Sequence, residues 1–233
     1  MNSMQLKDFK NVNQGKFAIL FATGPSLNEF TPSLIPESLE ELVKVGVNSF
    51  IYNDDIDLDY YFCAHDVAKE PIDHPHKAAN DSNMLLTVPL FEKIKERCND
   101  MQVFCCSKLD GRYNIEFFTE DESKEMNGIP YELSTATGSD NFSKDMESPL
   151  YNHSIVFPPL QVLLYSGIKK IYLVGCDCGG GNSYLVSNVP WRADIYWNWI
   201  EFKEFKDKEY PDVEIVSVNP KGLKGVFASE IYK

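Results

Sequence analysis

Lys16-Phe17-Ala18-Ile19-Leu20-Phe21-Ala22 runs directly into Thr23-Gly24-Pro25-Ser26-Leu27. After Lys16 the first stretch carries no polar side chain, which marks a short strand buried on both faces. It ends in a glycine and a proline, so the chain turns there. Ser26 and Glu29 stand at the spacing of a capping box, which predicts the start of a helical turn. A buried strand that passes through a glycine loop into a helix is the opening unit of a parallel α/β sheet. Glycine in that loop lets a ligand approach the backbone, and free amides at a helix start suit a phosphate. The same residues also fit a plain strand-to-helix turn in which Ser26 is only a cap.

Working outward, the alternation repeats. A helix-like stretch at 36–44 leads into a second strand at 45–48, and a third strand at 57–64 ends at His65-Asp66. A helix at 89–98 precedes a fourth strand at 101–106. A helix at 154–166, closed by Gly167 and with Pro158 and Pro159 in its first turn, precedes a fifth strand at 170–175. An aromatic-rich helix at 192–210 precedes a sixth strand at 213–218. Between the two halves, 107–152 is polar with scattered aromatics at Tyr113, Phe117, Phe118 and Tyr131, the profile of an insertion or lid. The expected fold is therefore α/β: a Rossmann-like open, mainly parallel sheet with helices on both faces and a polar lid-like insertion. Residues 1–233 are expected to form a single nucleotide-binding domain of that kind.

Composition limits the partners. Lys plus Arg is 22 against 35 for Asp plus Glu, a formal net charge of −13. Such a surface repels nucleic acid and anionic lipid, so neither is an expected partner. An anionic ligand must be held locally, by backbone amides or a few cations. The polar stretch 1–15 lacks the apolar core of a signal peptide, and no apolar run is long enough to span a bilayer. Several of the six cysteines fall in apolar strands, where thiols behave as small hydrophobes. Reduced thiols and a cytoplasmic location are the expectation.

In open parallel sheets ligands bind beyond the carboxyl ends of the strands. The residues found there are Thr23 and Gly24, Asn48, His65 and Asp66, Ser107, Cys176 and Asp177, and Asn219. Most are polar groups able to bond a ligand. Gly175-Cys176-Asp177-Cys178-Gly179-Gly180-Gly181 adds a loop whose amides can wrap a ligand, and Asp177 could bond a hydroxyl, hold a divalent ion or bond its own turn. His65 and Asp66 with Asp73, His74 and His76 carry metal-ligating groups, but nothing in their spacing fixes a geometry, and no metal site is assigned. The aromatics of the 192–210 helix suit core packing as well as stacking on a base or sugar. Arg192, at the helix start, is placed to pair with a phosphate.

Gly24-Pro25-Ser26-Leu27, Asn48 and Gly167-Ile168-Lys169-Lys170-Ile171-Tyr172-Leu173-Val174-Gly175-Cys176-Asp177 together resemble the bacterial sialyltransferases of glycosyltransferase family 42. The segment from Asn219 to Phe227 is similar to that family's closing Pro-Asn-Ser-Leu segment. The Gly-Pro-Ser loop and Gly-x-Asp strand end also resemble the 6-hydroxymethylpterin diphosphokinase-like proteins. The sialyltransferase resemblance implies a CMP-sugar site with Gly24, Pro25 and Ser26 near the phosphate and sugar. It implies Asn48 bonded to the nucleotide, Ser154 near the donor sugar, Gly175 and Asp177 around the nucleoside, and Tyr184 near a phosphate. The family's catalytic histidine lies after the Gly-x-Asp loop, whereas the last histidine here is His153. His65, Asp66 and His153 are then the candidates for the base that deprotonates an acceptor hydroxyl.

The expected activity is that of a nucleotide-dependent transferase using a CMP-type activated sugar and a small-molecule or glycan acceptor, with no cofactor required. The alternatives are Mg²⁺-dependent diphosphate transfer to a pterin-like molecule, with Asp66 and Asp177 on the ion, and non-catalytic nucleotide binding.

Overall fold

The computed structural model describes residues 4–63, 90–109, 118–134, 142–146, 150–151, 154–181 and 191–232. Among these residues nine strands form one sheet: β1 (Phe17–Phe21), β2 (Val43–Val47), β3 (Tyr60–Cys63), β4 (Gln102–Leu109), β5 (Ile129–Ser134), β6 (Leu150–Tyr151), β7 (Lys170–Val174), β8 (Glu214–Val218) and β9 (Ser229–Ile231). Their order is β6-β5-β4-β3-β2-β1-β7-β8-β9. Every neighbouring pair is parallel. Among the described residues four α-helices accompany them: α1 (Leu90–Arg97), α2 (Glu120–Glu125), α3 (Phe157–Tyr165) and α4 (Ala193–Glu209).

The apolar β1 run is buried on both faces. Ala18, Leu20 and Ala22 face a core shared with Phe157 and Leu160 of α3 and Trp199 and Phe202 of α4. Ile19 and Phe21 face the opposite core, with Leu27, Phe50 and Ile51 from short 3-10 turns and Leu90 and Ile94 of α1. Burying one such side chain contributes roughly 1.5–3 kcal/mol. The central strands thus need no polar face, as their unbroken apolar runs imply. Among the described residues, no helix is long and apolar enough to cross a membrane.

All six expected strands form, and the structure departs from the expectation at three places. In place of a helix at 36–44 there is a single 3-10 turn, Leu39–Glu41, with the Ser38 hydroxyl accepting the Glu40 N–H at 3.4 Å. Val43 and Val45 are buried in β2, so tertiary burial of β-branched side chains overrides the local helical pattern. The stretch 107–152 supplies the end of β4, all of α2, and strands β5 and β6. Its apolar residues fasten it: Phe118, Met126, Tyr131, Phe142 and Met146 are buried, and the Phe142 ring lies 5.3–5.6 Å from those of Phe157, Phe202 and Phe205. Strand β9 adds a last, three-residue edge.

Candidate functional site

Strand order reverses between β1 and β7. From β1 the chain builds outward through β2 to β6 on one side, and from β7 through β8 to β9 on the other. This is the switch point at which ligands enter parallel sheets. The loops that leave β1 and β7 there are Thr23–Ser26 and Gly175–Gly181, the two the sequence singles out.

These loops are sewn together at their base. The Gly24 N–H donates to the Gly175 carbonyl at 2.7 Å, and the Gly175 N–H donates to Ser26 Oγ at 2.9 Å. The Ser26 N–H donates to Asp177 Oδ2 at 2.6 Å, while the Lys221 N–H, from the loop after β8, donates to Oδ1 at 2.9 Å. Lys221 Nζ then pairs with Glu29 at 2.8 Å. Asp177 is 3% exposed, so one buried carboxylate joins three loops. Burial pushes its carboxyl above the usual carboxylate range, against the opposing pull of the Ser26 and Lys221 hydrogen bonds and the Lys221 charge.

The glycines serve that close approach. A Cβ at Gly24 would stand 2.4 Å from the Gly175 carbonyl oxygen, and one at Gly222 would stand 1.8 Å from the Asp177 carbonyl oxygen. Gly175 has φ +73, and a Cβ there would stand 2.1 Å from the Ala22 carbonyl oxygen, so conformation and space both exclude a side chain.

These contacts correct the expected capping box and show where the other expected site residues lie. The turn after Gly24 is a five-residue 3-10 turn, Pro25–Glu29, without a capping box: Ser26 Oγ serves Gly175, and Glu29 serves Lys221. Pro25 has no N–H, and those of Gly24, Ser26 and Leu27 are bonded to Gly175, Asp177 and Gly24. Asp177 has both oxygens engaged by backbone N–H groups. Cys176 packs into the core beside α3 and α4, where burial raises its thiol pKa. The Arg192 guanidinium pairs with Asp194 at 2.9 and 2.5 Å on the surface, and its own N–H donates to the Cys178 carbonyl at 2.8 Å, docking the start of α4 on the β7 loop.

What the crevice does present is a ring of strand-end groups. Thr23, Gly24 and Pro25 are half-buried beyond β1. Asn48, beyond β2, holds φ +43, and its Oδ1 has no hydrogen-bond partner among the described residues. Asn219, beyond β8, holds φ +46. Left-handed backbone at non-glycine residues costs free energy and collects where a site demands it. Cys178, Gly179 and Gly180 have φ of +56, +84 and +88 in succession. Two of the three are glycines, which take such backbone without steric cost and leave their amides open to a ligand's approach. Ser154 lies just before α3, whose direction into β7 places its start at the carboxyl end of the sheet.

His65, Asp66, His153 and Tyr184 lie outside the described residues, as do Asp73, His74 and His76. Among the described residues, no three His, Cys, Asp or Glu side chains gather as a metal site requires. Sequence reasoning missed Lys221, Gly222 and Glu29 as parts of the latch. The signal available was Pro220-Lys221-Gly222, a turn following a buried strand.

Depth alone does not mark this site. A cavity of about 580 Å³, lined by Lys10, Tyr165, Lys169 and Tyr210, and one of about 430 Å³, lined by Lys16, Asp59, Tyr60 and Gln102, open at the amino ends of the strands. Topology and strand-end chemistry place the candidate site at the opposite end.

No protein-family model matches the chain, and no curated protein matches it by sequence. Among solved structures it is similar to a single-residue variant of the sialyltransferase CstII in complex with CMP, at 15% identity over 93% of this chain and 86% of that chain, TM-score 0.48. It is also similar to CstII from Campylobacter jejuni in complex with the substrate analogue CMP-3FNeuAc, at 16% identity over 92% of this chain and 85% of that chain, TM-score 0.46.

Proposed function

We propose that this protein is a nucleotide-dependent transferase that carries a CMP-activated sugar in the crevice above the β1/β7 switch point. The observation that supports it is the convergence there of the left-handed Cys178–Gly180 turn, the half-buried Thr23-Gly24-Pro25 edge and the Asn48 side chain, around a latched floor. On this reading the amides of the Cys178–Gly180 turn take the phosphate, Thr23 to Pro25 wall it, and Asn48 bonds the nucleoside. Ser154 borders the donor sugar. The choice of CMP follows the sequence resemblance of the Gly-Pro-Ser and Gly-x-Asp motifs. Transfer needs a base to take the proton of an acceptor hydroxyl while that oxygen bonds the anomeric carbon and CMP departs with the electron pair. His65, Asp66 and His153 are the groups proposed for that role.

Mg²⁺-dependent diphosphate transfer is less well supported, because Asp177 would have to exchange two backbone hydrogen bonds for the ion. Calorimetric titration with CMP, CDP, UDP, GDP and ATP, each with and without Mg²⁺, tests the proposal. Binding of CMP independent of Mg²⁺ is the expected result. Binding of ATP alone, and only with Mg²⁺, would overturn it, as would no binding by any nucleotide.

A further inference from the structure

The chain has three tryptophans, and they divide sharply. Trp199 is 1% exposed and packs among Phe157, Phe202 and Phe227. Trp191 and Trp197 are 52% and 63% exposed, although they flank the start of the same helix. Between them stands Tyr196, its ring 5.9 Å from that of Trp191 and 5.8 Å from that of Trp197, tilted at 46° and 75°. The three rings make a continuous aromatic strip. One end meets the candidate site: a Cβ on Gly180 would lie 3.8 Å from Trp191 Cδ1, and the Arg192 N–H holds the Cys178 carbonyl. From there the strip leads away along α4.

Single exposed aromatics are ordinary, but rings in contact with one another beside a ligand loop form a contiguous patch of the kind that marks an interaction site. Charge restricts what that occupant is. Arg192 is engaged by Asp194, and Glu201 stands one turn beyond Trp197 on the same side of the helix. With a formal charge of −13 on the whole chain, an anionic ligand is repelled here. A neutral sugar is not. A pyranose ring carries C–H bonds on one face, whose slight positive charge suits the negative face of an aromatic ring, and hydroxyls on its rim that stay in water. Rings tilted against each other offer separate faces to successive sugars in a chain.

The geometry points to Trp191, Tyr196 and Trp197 as the acceptor-binding strip, which takes neutral oligosaccharides and delivers their end to the nucleotide crevice. The choice of a sugar ligand rests on the proposed transfer reaction; the strip itself does not.

The protein carries its own reporter. With Trp199 buried, acrylamide quenching of tryptophan fluorescence reads mainly Trp191 and Trp197. Lactose is expected to protect them from quenching, and its sialylated, anionic counterpart to do so less well. Trp197→Ala and Trp191→Ala are each expected to weaken lactose binding by about tenfold. Both side chains are exposed, so the fold should persist, with the buried Trp199 emission as its control. CMP is titrated in parallel. CMP binding without lactose protection would overturn the acceptor strip alone. Lactose protection without CMP binding would overturn the transfer reaction and leave the sugar site standing. Protection by neutral phosphatidylcholine vesicles, but not by lactose, would make the strip a membrane contact and overturn the inference.

Discussion

Alanine at Gly24 separates a latch from a ligand cradle. The added Cβ would lie 2.4 Å from the Gly175 carbonyl oxygen and 2.9 Å from Asp177 Oδ2. The nearer atom is backbone, so the clash cannot be relieved by a side-chain rotation. Forcing one methyl into such packing costs about 1–3 kcal/mol. Gly24 has φ −70, which alanine adopts without strain, so the loss of unfolded-state freedom returns about 0.4–1 kcal/mol. The net expectation is a destabilisation of about 1–2 kcal/mol, a fall in Tm of about 2–8 °C for a chain of this size. Thermal unfolding by calorimetry measures it, with CMP titrated into the folded variant. An unchanged Tm together with lost nucleotide affinity would refute the reasoning. The space at Gly24 would then be open to a ligand, and the β1 and β7 loops would not be joined as described.

Two further expectations concern the same loops. Asp177→Asn leaves one of the Ser26 and Lys221 N–H groups facing an amide N–H, at a cost of about 1–3 kcal/mol. Burial raises the wild-type carboxyl, so the folded state keeps a proton that the unfolded chain, with its carboxyl near 3.8, has lost; wild-type stability therefore falls as pH rises through that window. Asparagine does not titrate, so the stability gap measured by urea unfolding should be widest in acid and narrow towards neutral pH, and a gap that widens instead would mean the charged form is the favoured one. For the thiols, Cys178 is pushed up to about 12 and Cys176 well above its usual range by burial and by Asp177, while Cys98 is only half-buried. A disulfide exchange reagent at mildly alkaline pH should therefore modify Cys98 well before Cys176 or Cys178, and early labelling of the loop cysteines by peptide mapping would contradict the packing of that loop.

The central sheet was legible because each of its long strands is a nearly unbroken apolar run with a glycine or polar residue at its end, as at Phe17–Phe21 before Thr23-Gly24 and Lys170–Val174 before Gly175. The outer strands lack that signature. Pro130 argues against a strand, yet it lies ahead of Leu133 and Ser134, where β5 begins to pair with β6, and a proline is tolerated where one side of a strand is unbonded. Strand β6 is two residues long and β9 is three, too short for any periodicity. The position of the candidate site was legible for the same reason as the sheet, since polar strand ends mark it. The role of Asp177 was not. Its partners Ser26 and Lys221 lie 151 and 44 residues away, and no local pattern encodes a hydrogen bond across that separation.

That separation bears on how an anion could be held beside a buried carboxylate. A free Asp177 at the mouth of the crevice would repel a phosphate, in a protein whose net charge already does so. Here each of its oxygens is faced by a backbone N–H, and the Lys221 side chain is tied back to Glu29. The carboxylate therefore spends its hydrogen-bonding capacity inward, on three loops. The loop that follows it differs in character: Cys178, Gly179 and Gly180, immediately past the acid, all hold positive φ, and theirs are the amides proposed to meet the phosphate. Backbone amides attract an anion without adding a titratable charge, and they need no reorganisation when their base is already latched. The proposed division of labour follows from this: Asp177 holds the floor rigid, and the glycine turn beyond it meets the phosphate. On this proposal the residue most prominent in the sequence motif serves the fold, and the ligand falls to the plain amides after it.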